Sequence, residues 1–298
     1  MDPEEYRKRY EAELAEAAPP TQPGRRRKGT APAAAEERPT PAARANAIAA
    51  APLDEENLFA RVPELLATLR NREEPLRVRM AALQALAALD FLPARFEPFQ
   101  ADYKQALRDV ATDSEAELRE SALELLAIDK DPYAQELLVT GLERPTEALV
   151  PEAKAIQFLG YDDHGEYIPL VREVYKRAKG AAREEALRVL AVDPQSERLF
   201  ARLLKDRSET RNVRGLSASG LQSLNPEAFE KTARKIVADE DEDNDIRADS
   251  LAALAHGREA REKPADPKLD QTVQKLVETT RSAALRSSAR RFLQATEE

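Results

Sequence analysis

From about Leu53 onward the apolar positions recur in a nine-residue frame. It holds an apolar residue first, commonly Arg second, a small residue fifth and Leu ninth. The frame begins at Val78 ("VRMAALQAL"), Leu118 ("LRESALELL"), Pro151 ("PEAKAIQFL"), Ala182 ("AREEALRVL"), Val213 ("VRGLSASGL"), Ile246 ("IRADSLAAL") and Leu285 ("LRSSARRFL"). Successive starts are 31 to 40 residues apart. Positions one, five and nine lie four apart and share one face of an α-helix. The small fifth residue lets a second helix come close. Between these helices run amphipathic partners such as "PYAQELLVTGL" and "EAFEKTARKIV". A unit of two helices repeated at this period predicts an all-α solenoid of about seven helical pairs.

Local signals mark the helix starts. Asp131-Pro132, Asp193-Pro194, Asn225-Pro226 and Asp266-Pro267 each place a capping side chain before a proline at the first helical position. Ser114 with Glu117 predicts a capping box at the front of the second repeat's inner helix.

Ahead of the periodic body the pattern changes twice. Residues 1–18 suit a short amphipathic helix, with Tyr6, Tyr10 and Leu14 on one stripe. An isolated helix of that length is marginal in water, so the stripe is expected to fold back as a cap, to dock on a target, or to leave the helix frayed. Residues 19–52 are rich in Pro and Ala and hold the basic cluster Arg25 to Lys28. They read as a flexible linker, which makes the whole front a disordered N-terminal extension. The expected domains are therefore 1–18, 19–52 and 53–298.

Composition narrows the chemistry. The 298 residues contain no Cys and no Trp, which excludes disulfides, thiolate nucleophiles and Cys-ligated metals. A net charge of −9 argues against nucleic acid and anionic lipid as partners. No apolar run is long enough to span a membrane, and the N-terminus lacks a signal-peptide core, so the expected location is cytoplasmic. No cofactor and no metal are expected.

Four stretches imitate chemical motifs. Gly215 and Gly220 have P-loop spacing, but Leu221-Gln222 stand where Lys and Ser or Thr are required. Gly215 and Ser217 begin a nucleophile elbow that Ser219 breaks. Asp239 to Asp245 alternates acids as a calcium loop does, without Gly at position six or Glu at twelve. Asp162, Asp163, His164 and Glu166 lack the helical spacing of a zinc site. His164 and His256 each precede a Gly, as at a helix end.

The period, the paired helices and the spacing of Asp113 to Leu118-Arg119 and of Asp241 to Ile246-Arg247 resemble HEAT repeats, in particular short bacterial HEAT-like arrays, over residues 57–295. The resemblance implies a right-handed α-solenoid of HEAT-like pairs. It also implies that Arg79, Arg119, Arg183, Arg214, Arg247 and Arg286 form a ladder of polar contacts between repeats. The third repeat departs, with Pro151-Glu152 in place of apolar-Arg.

On this footing the expected function is a non-enzymatic scaffold or adaptor that binds a protein or peptide, in an oligomeric state left open. Its concave surface would be built from the second helix of each pair, through Glu120, Glu124, Lys154, Gln157, Glu184, Arg188, Leu216, Ser219 and Asp249. Ala248 and Ala252 fall on the same expected face. HEAT-like folds also include phycobiliprotein chromophore lyases and DNA glycosylases, which supply the alternatives; a third makes Tyr6, Tyr10 and Leu14 the targeting motif. A glycosylase site would be basic and aromatic, unlike this chain.

Overall fold

Position five explains how the helices assemble. Ala82, Ala122, Ala155, Ala186, Ser217, Ser250 and Ala289 are all buried. A side chain this small lets helix backbones approach to the near end of the usual 8–10 Å range (about that spacing for packed helices). Larger apolar residues fill the flanking space, with Leu86, Leu126, Leu159, Leu190, Leu221 and Leu254 buried at position nine.

The computed structural model describes residues 39–51, 55–90, 96–162, 165–259 and 267–294. The chain divides into two units, Met1–Thr40 and Pro41–Glu298. The described helices all belong to the second, and no strand occurs among the described residues. α1 (Pro41–Ala49) precedes seven pairs: α2 (Glu55–Arg70) with α3 (Leu76–Asp90), α4 (Gln100–Val110) with α5 (Ala116–Ile128), α6 (Pro132–Glu143) with α7 (Glu152–Leu159), α8 (Ile168–Arg177) with α9 (Gly180–Val189), α10 (Glu197–Lys205) with α11 (Arg211–Leu224), α12 (Pro226–Ala238) with α13 (Asn244–Glu259), and α14 (Pro267–Thr279) with α15 (Ala283–Gln294).

Each second helix packs on its own first helix and on the second helices before and after it. One continuous core runs from Val62 to Phe292. This side-by-side stacking of pairs is the all-α, HEAT-like solenoid that the period predicts.

Capping follows the sequence at most starts. Asp131 accepts from the Tyr133 amide at 3.1 Å, Asp193 from Gln195 at 3.2 Å and Asn225 from Ala228 at 3.0 Å. Asp266 lies outside the described residues. The capping box of Ser114 and Glu117 does not form: Asp113 accepts from the Glu115 amide at 3.0 Å instead. Asp113 sits one residue further from the helix, and its carboxylate is also fixed by Arg79, so it is already placed to serve that amide.

Residues 41–49, expected as flexible linker, are helical. Pro41 takes the first helical position, where its missing N–H costs nothing, and the Ala-rich stretch that follows favours helix. α1 buries Ala45 and packs against the equally Ala-rich α3, and the Arg44 guanidinium meets Glu74 at 2.7 Å. The Tyr6, Tyr10 and Leu14 stripe and the Arg25 to Lys28 cluster lie outside the described residues.

The motif-like glycines lie inside α11. Ser217 is fully buried and donates to the Val213 carbonyl at 2.7 Å. A Cβ on Gly220 would sit 2.8 Å from the Phe200 ring, so this glycine exists to seat a buried aromatic. Around Gly215 there is open space.

Candidate functional site

In every pair but the third an arginine at position two stands at or near the start of the second helix, and across the set these arginines reach in two directions. Arg79, Arg214 and Arg247 turn back to the carbonyls of Leu69, Leu204 and Val237, ten residues upstream, at 3.0, 3.0 and 3.1 Å. Each acceptor is the penultimate residue of its first helix, where carbonyls have no partner within the helix. Forward, Arg79 donates to Asp113 at 2.7 Å, Arg183 to Glu209 at 2.6 and 2.8 Å, and Arg214 to Glu242 at 2.9 and 2.6 Å. At Arg79 and Arg214 a single guanidinium therefore ties a helical pair together and joins it to the next. Hydrogen bonds from these arginines hold Asp113, Glu209 and Glu242 below the usual carboxylate range, outweighing burial, which pushes the other way.

Glu242, and not Asp241, answers Arg214. Arg119 differs as well, donating to the backbone carbonyls of Leu149 and Asp113, each at 2.6 Å. Arg286 donates to the Thr280 carbonyl.

In the third repeat the charges are exchanged. Glu152 occupies position two, and the carbonyl ten residues before it, Leu142, is again penultimate in its helix. Arg177, from the last turn of α8, donates to that carbonyl at 2.8 Å and to Glu152 at 2.5 Å. The same orphan carbonyl is satisfied from the following pair. Beside this junction a cavity of about 340 Å³ opens between Leu137, Gly141, Leu149 and Pro151.

The second helices present the residues expected to meet a partner, and the structure brings many of them together. Glu120 and Lys154 form an ion pair at 3.3 Å across α5 and α7, with the Lys154 ammonium 5.6 Å from the Phe158 ring centre. Glu124 accepts from the Tyr161 hydroxyl at 3.1 Å, and Gln157 donates to that hydroxyl at 3.4 Å. Burial, then the charges of Glu124 and Glu185, push the Tyr161 phenol up. Glu184 accepts from the Asn212 amide at 2.5 Å, Arg188 pairs with Glu185, and Asp249 pairs with Arg211 at 2.9 Å. Leu216 is half-buried against the core, while Gly215 and Ser219 are exposed.

Two points depart from expectation. Ala248 is buried, because α13 is rotated so that Asp249 and Ala252 face outward in its place. Tyr161, the hub between Glu124 and Gln157, was not among the expected residues. Its signal was present all the same, since it follows Gln157 by four residues on one helical stripe.

Within the acidic run, Asp241 to Asp245 line a polar cleft of about 600 Å³ that also holds Arg207, Arg211 and Arg214. Asp239 meets Arg207, Glu242 meets Arg214 and Asp245 meets Arg211. Asp243 accepts from the Asp245 and Ile246 amides at 2.8 and 3.2 Å and caps α13. Among the described residues no group of three or more His, Asp or Glu is placed to hold a metal ion. Asp163 and His164 lie outside them. His256 does not end its helix, for α13 runs on to Glu259.

No family model matches the sequence, and no curated protein is similar to it. Several solved structures are, two of them as follows. Human deoxyhypusine hydroxylase, in complex with glycerol, is 14% identical over 81% of this chain and 97% of its own, with a TM-score of 0.38. The complex of CpcE and CpcF of phycocyanin lyase from Nostoc is 16% identical over 91% of this chain and 100% of its own, with a TM-score of 0.36. Both are HEAT-repeat solenoids, and the likeness is one of fold alone. Both structures carry enzyme names, so the expectation that the chain is not an enzyme is dropped: this fold is found in enzymes as well. The physical reason is that a helical array has no chemistry of its own; reactivity resides in side chains set on it. No helix among the described residues is long and apolar enough to cross a membrane.

Proposed function

We propose that the protein is an interaction solenoid whose second-helix face receives a segment of a partner protein. The observation that carries this reading is the state of that face around α11. Gly215 has nothing within 4 Å of the position a Cβ would take, and Ser219, one turn on, is exposed. A backbone can approach another backbone only where side chains are this short. On either side the face is held by pairs between successive second helices, Glu184 with Asn212 and Arg211 with Asp249. The ladder of arginines behind it fixes the spacing of those helices. A pre-organised surface of this kind loses little entropy when a partner binds.

The test is competitive capture. Immobilised wild-type protein is compared with a Gly215→Arg/Ser219→Arg variant that retains its helical circular dichroism. The reading expects the proteins bound specifically by the wild type to be lost from the variant. Retention of the same set on both would overturn it.

A further inference from the structure

The connector between the two helices of a pair is short in six of the seven pairs. It runs from two residues, 178–179 between α8 and α9, to five, as at 71–75 between α2 and α3. In the third pair it is residues 144–151, eight residues that include Pro145, Pro151 and a 3₁₀ turn at Pro145–Glu147. It leads into α7, which at eight residues is the shortest described α-helix. Two turns carry all the packing of that second helix.

The polar fastening thins at the same place. Asp113, Glu209 and Glu242, which take the forward bonds of Arg79, Arg183 and Arg214, are 1%, 17% and 5% exposed. Pair two holds pair three through Arg108 and the buried Asp131 at 2.8 Å, and through Arg119 on the Leu149 carbonyl. Between pairs three and four the charged contact is Arg177 with Glu152, 47% and 32% exposed. Solvent and salt screen such a pair. The last junction also rests on an exposed pair, Glu240 with Lys275, but its second helices, α13 and α15, span 16 and 12 residues.

Room to move lies beside this weak contact. The cavity of about 340 Å³ between Leu137, Gly141, Leu149 and Pro151 has Arg177 in its wall. Protein cores leave few voids larger than a water molecule, and a wall that borders one can shift without first breaking packed contacts. The opposite end of α7 is held. A Cβ on Gly160 would lie 2.6 Å from the Val189 side chain of α9, and the Tyr161 hydroxyl is engaged by Glu124 and Gln157. One end is pinned and the other is loose, which is the geometry of a pivot.

We propose that the third pair is the joint of the helical array. The connector 144–151 stays with pair two through Arg119, and pair four carries Arg177. The array bends where Arg177 moves over Glu152 and the Leu142 carbonyl, about the contact of Gly160 with Val189. This is the local, low-cost motion expected where buried contacts are few. The joint is a property of the chain alone, independent of the interaction reading above, and its test needs no partner.

Double electron–electron resonance on the full-length protein tests it. The chain has no Cys, so spin labels attach only where cysteines are introduced. Glu117→Cys/Ala181→Cys brackets the third pair, and Ala181→Cys/Asn244→Cys brackets the fifth; all three positions are exposed. The first distance distribution is expected to be at least about twofold wider than the second, as a hinge between two rigid blocks requires. Arg177→Ala should widen the first further and leave the second unchanged. Equal widths in the two labelled proteins would overturn the joint, and so would a first distribution that Arg177→Ala does not alter.

Discussion

Arg214 and Glu242 meet through two hydrogen bonds, 2.9 and 2.6 Å long, where the two side chains are 4% and 5% exposed. The arginine belongs to the fifth pair and the glutamate to the loop that opens the sixth pair's second helix. Because the same guanidinium also holds the Leu204 carbonyl, the contact couples three elements. A buried pair of this kind adds little over a well-packed apolar pair, but losing one partner strands the other's charge.

The Glu242→Ala substitution is therefore expected to lower unfolding free energy by about 3–5 kcal/mol. Replacing both Arg214 and Glu242 by Met should cost much less than the single change. Urea denaturation of the two variants beside the wild type checks this, and equal losses in the single and double variants would contradict it.

Acid should loosen the ladder. Asp113, Glu209 and Glu242 titrate lower in the folded chain than in the unfolded one, chiefly through hydrogen bonds from Arg79, Arg183 and Arg214. Their stabilisation is complete above the unfolded carboxylate range, near about pH 4. It is lost as pH falls through the depressed folded values. The urea midpoint should stay level from about pH 8 to 5 and drop below about 4, with a shallower drop in Glu242→Gln. A midpoint that rises on acidification would contradict the assignment.

The two glycines of α11 should respond in opposite directions. Gly215→Ala adds a methyl group to open space in a helix and should stabilise by about 0.5–1 kcal/mol. Gly220→Ala drives a methyl against the buried Phe200 ring and should cost about 1–3 kcal/mol. Thermal unfolding of the two variants decides, and shifts of the same sign would be contrary to the packing described.

Much of this fold was legible because its signals are local and repeated. The small fifth position, the Leu at nine and the Asp-Pro and Asn-Pro starts each recur within a single helix or turn, and the structure places them where the pattern does. Pairings between repeats were harder to read. Nothing in the spacing alone tells Asp241 from Glu242 as the acceptor for Arg214, since a loop can advance by one residue without disturbing either helix. Nor does the frame show that the Leu142 carbonyl is satisfied by Arg177, on the following pair. α1 was hidden by the prolines around it, although its Ala-rich core favours helix. On the candidate face the residue types were legible, whereas their mutual pairing, through Tyr161 and Asn212, depends on how adjacent helices are turned.

The third repeat should be the tolerant one. Arg177 and Glu152 are 47% and 32% exposed, so solvent screens them and their pair contributes little. Arg177→Ala is expected to lower stability by less than about 1 kcal/mol, against several for Arg214→Ala. Urea midpoints of the two variants measure the difference; equal losses would mean that the exchanged pair is as tightly coupled as the rest of the ladder.

Site-specific photocross-linking tests the central claim most directly. A benzophenone side chain is placed at Ser219, on the exposed face of α11, or at Lys231, exposed on the first helix α12. The full-length proteins are then illuminated in the presence of a cell extract. The account predicts a discrete adduct with a partner polypeptide from position 219 and none from 231. An adduct from 231 alone would place the interaction on the opposite helices and contradict it.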